Sequence, residues 1–244
     1  FERLFSSPFF YRVFRNTLVL NILNLIFGFP APIILALMLN EMHSTTYKRI
    51  TQSIMYIPHF FSWVVLGGIV LGILSPSHGI INTIYKAISG AEEGIYFIAS
   101  EKWWRPVFII VNIWKEVGWG TIIYISAMTS IDPCLYEAAS IDGAGRFQRI
   151  LHVTLPGIKS TFMILLIMNI GHLMEAGFEM QYLMGNSLVE NYSETIDVFV
   201  MRYGISKQKY NYATAAGMFK SVVAIILLFG ANAIAKALDE DTLI

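Results

Sequence analysis

The chain has 244 residues, of which 55% are hydrophobic and only 14% charged, far below the roughly one-quarter charge of a soluble domain. Lysine plus arginine balance aspartate plus glutamate at 17 each, which argues against a nucleic-acid partner. The single cysteine, Cys134, rules out an internal disulfide and a cysteine-based metal cluster.

A bilayer core of about 30 Å is crossed by about 20 mostly apolar helical residues. Residues 1–15 mix Phe1, Leu4, Phe5, Phe9, Phe10, Val13 and Phe14 with Arg3, Arg12 and Arg15, a pattern that fits either a helix at the membrane surface or a linker. A first span follows at about 17–39, with kinks expected at Pro30 and Pro32. A polar loop is expected at 40–53, then a second span at about 57–74. Residues 75–105 are mixed. They carry a short helical pattern at Ile80, Ile81, Ile84, Tyr85 and Ile88, and end at Trp103 and Trp104, placed as interfacial anchors. The third span is expected at 106–129 with Pro106 in its first turn, the fourth at 159–184 and the fifth at 212–235. A polar loop occupies 185–211. Five apolar runs of helix length predict an all-α, polytopic membrane bundle, read as one domain. With Phe1 rather than Met at the start, a further span is expected before it.

Charge counting does not orient this bundle well. One side carries Lys48, Arg49, Arg146, Arg149, Lys159 and Lys236. The other carries Arg3, Arg12, Arg15, Lys86, Lys102, Arg105, Arg202, Lys207 and Lys209, and the positive-inside rule would make that side cytoplasmic.

The break between the third and fourth spans, 130–158, is long for a helix–helix connection. Asp132 and Pro133 read as the N-cap and first residue of a short helix. Gly143 and Gly145 allow a sharp turn, and Phe147, Ile150, Leu151 and Val153 form an amphipathic piece ended by Leu155-Pro156. Such a rigid helix–turn–helix suits docking in a partner's groove.

This run resembles the EAA motif of ABC importer permeases: Glu137-Ala138-Ala139, three residues, Gly143, nine residues, Val153 where the family prefers Ile, then Leu155-Pro156. Asp142-Gly143-Ala144 with Phe147 is similar to the sugar-importer branch. Asn16-Thr17, Trp114-Lys115 with Gly118-Trp119, and Gly177-Phe178-Glu179 look like permeases for complex oligosaccharides. The resemblance implies a non-enzymatic, multi-pass cell-membrane subunit. Its partners would be a second homologous permease, an ATP-binding subunit dimer, an extracellular substrate-binding protein and an oligosaccharide. It also implies contact with membrane lipid, no cofactor on this chain, and ATP and Mg on the partner ATPase. The loop at 130–158 would be cytoplasmic and the loops at 75–105 and 185–211 external, against the charge count. Coupling to the ATPase falls to Glu137, Ala138, Ala139, Asp142, Gly143, Ala144, Leu155 and Pro156. The chain has no Walker A pattern, in keeping with hydrolysis elsewhere.

Ionisable groups inside spans tend to mark pathways. Asn112, Lys115 and Trp119 are spaced for one helical face, with Trp114 and Glu116 beside them. His172, Glu175 and Glu179 are likewise spaced on the fourth span, near Phe178 and Tyr182. These two faces are expected to line the substrate path. The competing readings are a Lys115 pair with Glu175 or Glu179 that only holds helices together, and Trp119, Phe178 and Tyr182 as packing or belt residues. Asn21, Asn24 and Asn232 read as interhelical hydrogen-bond partners. His43, His59, His78 and His152 are scattered, with no metal-binding spacing and no nucleophile–base set. Two other functions fit the composition: an ion-coupled secondary carrier using Lys115 and Glu175/Glu179 as a relay, and an ABC permease for a non-sugar solute. A membrane-embedded enzyme is disfavoured for want of a catalytic motif.

Overall fold

A computed structural model describes residues 1–243 and contains helices and no strand among them. Three helices are long and apolar enough to cross a membrane unaided: α1 (Pro8–Asn40), α5 (Glu101–Thr129) and α11 (Tyr210–Ala237). Two further crossings are bent. One joins α2 (Thr45–Phe60) to α3 (Trp63–Ile73) through a 103° turn. The other joins α7 (Arg146–Gly157) to α8 (Lys159–Gly171) through 62°, with a 3-10 turn at His172–Met174 closing it. Between them lie α4 (Ile80–Ser89) and α6 (Pro133–Ile141); α9 (Glu179–Met184) and α10 (Ile196–Met201) precede α11. Three of the expected crossings are thus single helices, the other two correspond to the bent pairs, which make five crossings if each pair is one span, and several boundaries move.

Helix α1 continues through its prolines. Pro30 has no N–H to donate, and the ladder absorbs this as a π turn at Asn24–Gly28, where Phe29 N–H reaches back to Asn24 O at 3.0 Å. The N-terminal segment packs on protein as well. Leu4, Phe10 and Val13 are buried with Met174, Ile196, Phe199 and Ala216. The expected polar loop at 40–53 is mostly the first turns of α2, with Ser44 as its cap. The second crossing is broken at Phe61 and Ser62, inside what reads as one apolar run. Helix α5 begins at Glu101, so Pro106 is interior rather than in the first turn. Trp104 is fully buried and donates its indole N–H to Met184 O at 3.0 Å, so only Trp103 is placed as an anchor. Leu155-Pro156 does not end its helix, which runs on to Gly157 and turns at Ile158. The fourth crossing stops at Met174, and residues 175–178 are not helical.

Helix α5 is the central post. Gly118 lets the α2 backbone lie directly against it: a Cβ there would stand 2.0 Å from Met55 O. At the end bearing α6, Ile33, Ala36, Tyr124, Met128 and Ile158 tie α1, α5 and the turn into α8. The opposite end gathers the segments 75–105 and 185–209 around Leu20, Phe97, Trp104, Phe108 and Met184.

A charge cluster locks that opposite end. Arg12 meets Glu194 at 2.7 Å and Glu190 at 3.2 Å, and Arg202 meets the same two carboxylates at 2.9 and 2.7 Å. Asn16 donates to the carbonyls of Asn191 and Glu194 and accepts from Arg105 at 3.1 Å. Burial pushes the Glu194 carboxyl above its usual range, outweighing the arginines. Burial also acts on Glu190, but its hydrogen bond to Glu194 and the charges of Arg202 and Arg12 win and hold it below the usual range.

Candidate functional site

The element off the end of α5 is built by local chemistry. Asp132 Oδ1 accepts from Cys134 N–H at 2.9 Å and Pro133 opens α6, as the sequence predicts. Gly143 then takes φ +78°, a left-handed conformation that costs an L side chain roughly 1–2 kcal/mol. Gly145, at φ −69°, needs no glycine, although its N–H is held by Gln148 Oε1 at 2.7 Å. Tyr136 Oη and Thr154 Oγ1, 3.0 Å apart, pin α6 to α7, and Arg149 donates to Ser140 Oγ at 3.3 Å. The result is a stiff elbow with its apolar side chains outward. Ile141 is 86% and Phe147 82% exposed, with Leu135 and Leu151 also out. Glu137, Ala138, Asp142, Gly143 and Pro156 are exposed; Ala139, Ala144 and Leu155 are half-buried. Neither Glu137 nor Asp142 has a side-chain hydrogen bond or ion pair among the described residues, so neither carboxylate caps or steadies its own helix.

Two adjoining cavities of about 270 and 310 Å³ form a cleft of mixed polar and apolar lining along α5 and share Asn24, Asn112 and Glu116. Toward the elbow the cleft is walled by Trp119, Tyr124 and Asn169. Toward the opposite end it is walled by Asn21, Trp63, Glu175 and Gly177. Asn112 donates to Asn24 Oδ1 at 2.6 Å, leaving the Asn24 amide and the Asn112 carbonyl for other partners. His59 Nδ1 donates to Glu116 Oε2 at 3.0 Å, and its ring stacks on Trp119 with centroids 4.7 Å apart. Tyr124 Oη is buried with no hydrogen-bond partner among the described residues.

Of the sequence-predicted path residues, the structure brings Asn112, Glu116, Trp119 and Glu175 to this cleft. It does not bring the others there. The one-face spacing assumed for His172, Glu175 and Glu179 fails because the helix ends at Met174. His172 is left 3.9 Å from Glu175, and Glu179 is exposed at the start of α9. Phe178 and Tyr182 do not line the cleft and stack on each other, with centroids 5.2 Å apart. Trp114 lies on an apolar groove with Ile73, Ile110 and Trp103.

Lys115 is neither a cleft group nor an ion-pair partner. It is 6% exposed and donates to His59 O and Phe61 O, each at 2.8 Å, at the break between α2 and α3. Asn21, Asn24, Tyr124 and Asn169 enter the cleft unannounced. The first two read in sequence as plain interhelical ties, and Asn24 does both jobs. Lys220, in α11, pairs with Asp197 at 2.5 Å. Among the described residues no group of three or more metal-binding side chains occurs.

Comparison with known proteins extends over almost the whole of this structure. The family described as the binding-protein-dependent transport system inner membrane component matches residues 28–242. Protein LplB of Bacillus subtilis (strain 168) is 47% identical over 243 residues, covering 100% of this chain and 76% of its own length. The polygalacturonan/rhamnogalacturonan transport system permease protein YteP of the same organism is 44% identical, covering 99% of this chain and 74% of its own. A chain in the crystal structure of a bacterial alginate ABC transporter, in complex with alginate pentasaccharide-bound periplasmic protein, superposes with a TM-score of 0.95 at 41% identity. That match covers 99% of this chain and 83% of the other. With its helical crossings, its protruding elbow and these matches taken together, the chain belongs to the inner-membrane-component family of binding-protein-dependent transport systems and is a membrane permease subunit of an ABC transporter rather than an enzyme.

Proposed function

We propose that this subunit forms one wall of the import path for an oligosaccharide. It works with a second homologous permease, an ATP-binding dimer holding ATP and Mg, and an extracellular substrate-binding protein. The observation that carries the reading is the cleft around the polar side chains of Asn24, Asn112 and Glu116, lined by the same continuous helix from whose end the elbow hangs. Amides and a carboxylate beside Trp119 and Trp63 match what a sugar presents, hydroxyls at the ring edge and C–H groups on its faces. Tyr124 supplies a buried hydroxyl still lacking a partner among the described residues. Relatives whose names state a cargo are named for polygalacturonan/rhamnogalacturonan, arabinooligosaccharides, diacetylchitobiose or lactose, and the alginate transporter is involved in import of an acidic polysaccharide, which supports a carbohydrate over other solutes.

In this reading the elbow is cytoplasmic. Glu137, Ala138, Ala139, Asp142, Gly143, Ala144, Leu155 and Pro156 shape the part seated in the ATPase, with Phe147 and Ile141 as its apolar contact. The segments 75–105 and 185–211 face outward. Closure of the ATPase dimer moves the elbow, and alternating access follows as α5 carries that movement to the cleft. An ion-coupled relay is disfavoured because the buried ammonium of Lys115 is already held by two carbonyls.

The test is uptake by the assembled transporter in proteoliposomes. Oligosaccharide accumulation driven by ATP, and not by a proton or sodium gradient, is expected. Gradient-driven uptake without ATP would refute the assignment of the energy source, and ATP-driven uptake of amino acids but no sugar would refute the substrate.

A further inference from the structure

We propose that Lys115 is a positioning residue, the hook by which α5 holds the broken second crossing, and that movement of the elbow reaches the cleft through it. The break has unusual needs. Helix α2 ends at Phe60 and leaves its last carbonyls without intrahelical partners. Lys115 Nζ takes up two of these, His59 O and Phe61 O, both at 2.8 Å. An ammonium is also the favoured charge at a helix C-terminus. On the far side of the break, Ser62 Oγ accepts from Val65 N–H at 3.3 Å and starts α3. The 103° turn is thus stabilised from both sides.

Lys115 does not line the cleft; Trp63, which does, sets its ring 5.2 Å from Nζ. Two of the three ammonium N–H groups are committed to these carbonyls, and the Trp63 ring lies beside the ammonium. Its partners nevertheless reach the cleft. The residue whose carbonyl it holds, His59, gives its ring to Glu116 and stacks on Trp119. At the other end, α5 is unbroken down to Thr129, and α6 begins four residues later at Pro133. A displacement of the elbow moves α5 as a rod, and Lys115 is where the rod grips the broken helix. This rests on the permease reading for its transport readout, and a labelling readout independent of substrate separates the two.

The experiment uses the assembled transporter in proteoliposomes, comparing wild type with K115R, K115Q and K115M. ATP hydrolysed per oligosaccharide imported is expected to rise at least about fivefold in K115M, to rise less in K115Q, and to stay near wild type in K115R. An unchanged ratio in K115M with only a lowered melting temperature would make Lys115 an ordinary cap and overturn the proposal. So would an unchanged ratio with altered preference between anionic and neutral sugars, which would place Lys115 on the substrate. If K115M does not assemble, K115Q against K115R carries the same comparison. Separately, maleimide labelling of F61C on a C134S background is measured with ADP and with ATP plus vanadate. The labelling rate is expected to depend on nucleotide with Lys115 present and to lose that dependence in K115M; retained dependence overturns the hook. A wild type that imports no oligosaccharide sinks the substrate reading alone, and the labelling then decides this one.

Discussion

The tightest joint in the molecule is where α2 crosses α5, and G118A loads it with one methyl group. The added Cβ would stand 2.0 Å from Met55 O and 2.6 Å from Met55 C. Ordinary van der Waals contact begins near 3.4 Å, so the α2 backbone must retreat by about 1.4 Å. The obstacle is backbone inside a helix, which has no rotamer to swing away. Overpacking of this kind costs typically about 1–3 kcal/mol. The shift also acts one turn along the helix, at Lys115. Its bonds to His59 O and Phe61 O are 2.8 Å long, and stretching both by even half of that retreat passes the limit of about 3.2 Å for a sound N–H···O bond. Hydrogen bonds to a charged group contribute about 1.5–3 kcal/mol each, so losing one brings the total to about 2.5–6 kcal/mol. The assay is thermal unfolding of the purified transporter followed by size-exclusion chromatography, with transport measured on the surviving fraction. A large drop in melting temperature with impaired transport is expected. A G118A protein that melts and transports like wild type would show that α2 does not bear on α5 at Met55, and the account of this joint would be wrong.

Replacing Gly143 by valine forces a β-branched side chain into φ +78°, so the elbow reshapes; ATP hydrolysis continuing without transport in an inserted, assembled G143V protein is the expected result. E116Q removes a charge from the cleft and weakens the tie to His59, so substrate affinity or uptake rate is expected to change severalfold. E179Q, on an exposed residue that does not line the cleft, is expected to leave both unchanged in the same uptake assay. The depressed pKa of Glu190 has a definite sign. A carboxylate held below its unfolded value of about 4.5 contributes stability that is present above that value and lost as pH falls through the folded one. The melting-temperature gap between wild type and E190Q is therefore expected at pH 7 and to narrow by pH 4.

The elbow is the most legible part of the sequence because its geometry is local: Asp132 caps, Pro133 starts, and Gly143 supplies the one left-handed residue. The crossings are legible as apolar runs for the same reason that lipid permits them. What sequence periodicity misses is where a run breaks. Residues 57–74 read as continuous because nothing in Phe61-Ser62 forbids a helix; the break is held by Lys115, 54 positions beyond Phe61. The i, i+3, i+7 spacing of His172, Glu175 and Glu179 is real but presumes a helix that has ended by Met174. In both cases the error lies in extending a local rule across a point set by tertiary partners.

The same reasoning explains why charge counting points the wrong way if the elbow is cytoplasmic. The rule treats each lysine or arginine as free to feel the membrane's asymmetry, yet the end opposite the elbow spends its cations internally. Arg12 and Arg202 are matched against Glu190 and Glu194 across 2.7–3.2 Å, and Arg105 is drawn to Asn16. Arg105 also lies 5.1 Å from the Tyr192 ring, and Lys207 lies over Tyr203. These residues knit the start of α1 to the segment before α11, so their number reflects what that joint needs rather than which side of the bilayer they occupy. On the elbow side, by contrast, Arg146 reaches only His43, at 3.5 Å, and Arg149 only a serine hydroxyl. Fewer cations lie there, and apart from Lys159, which meets Glu240 at 2.6 Å, none of them is ion-paired to a carboxylate among the described residues; it is uncompensated charge on which a topological bias can act.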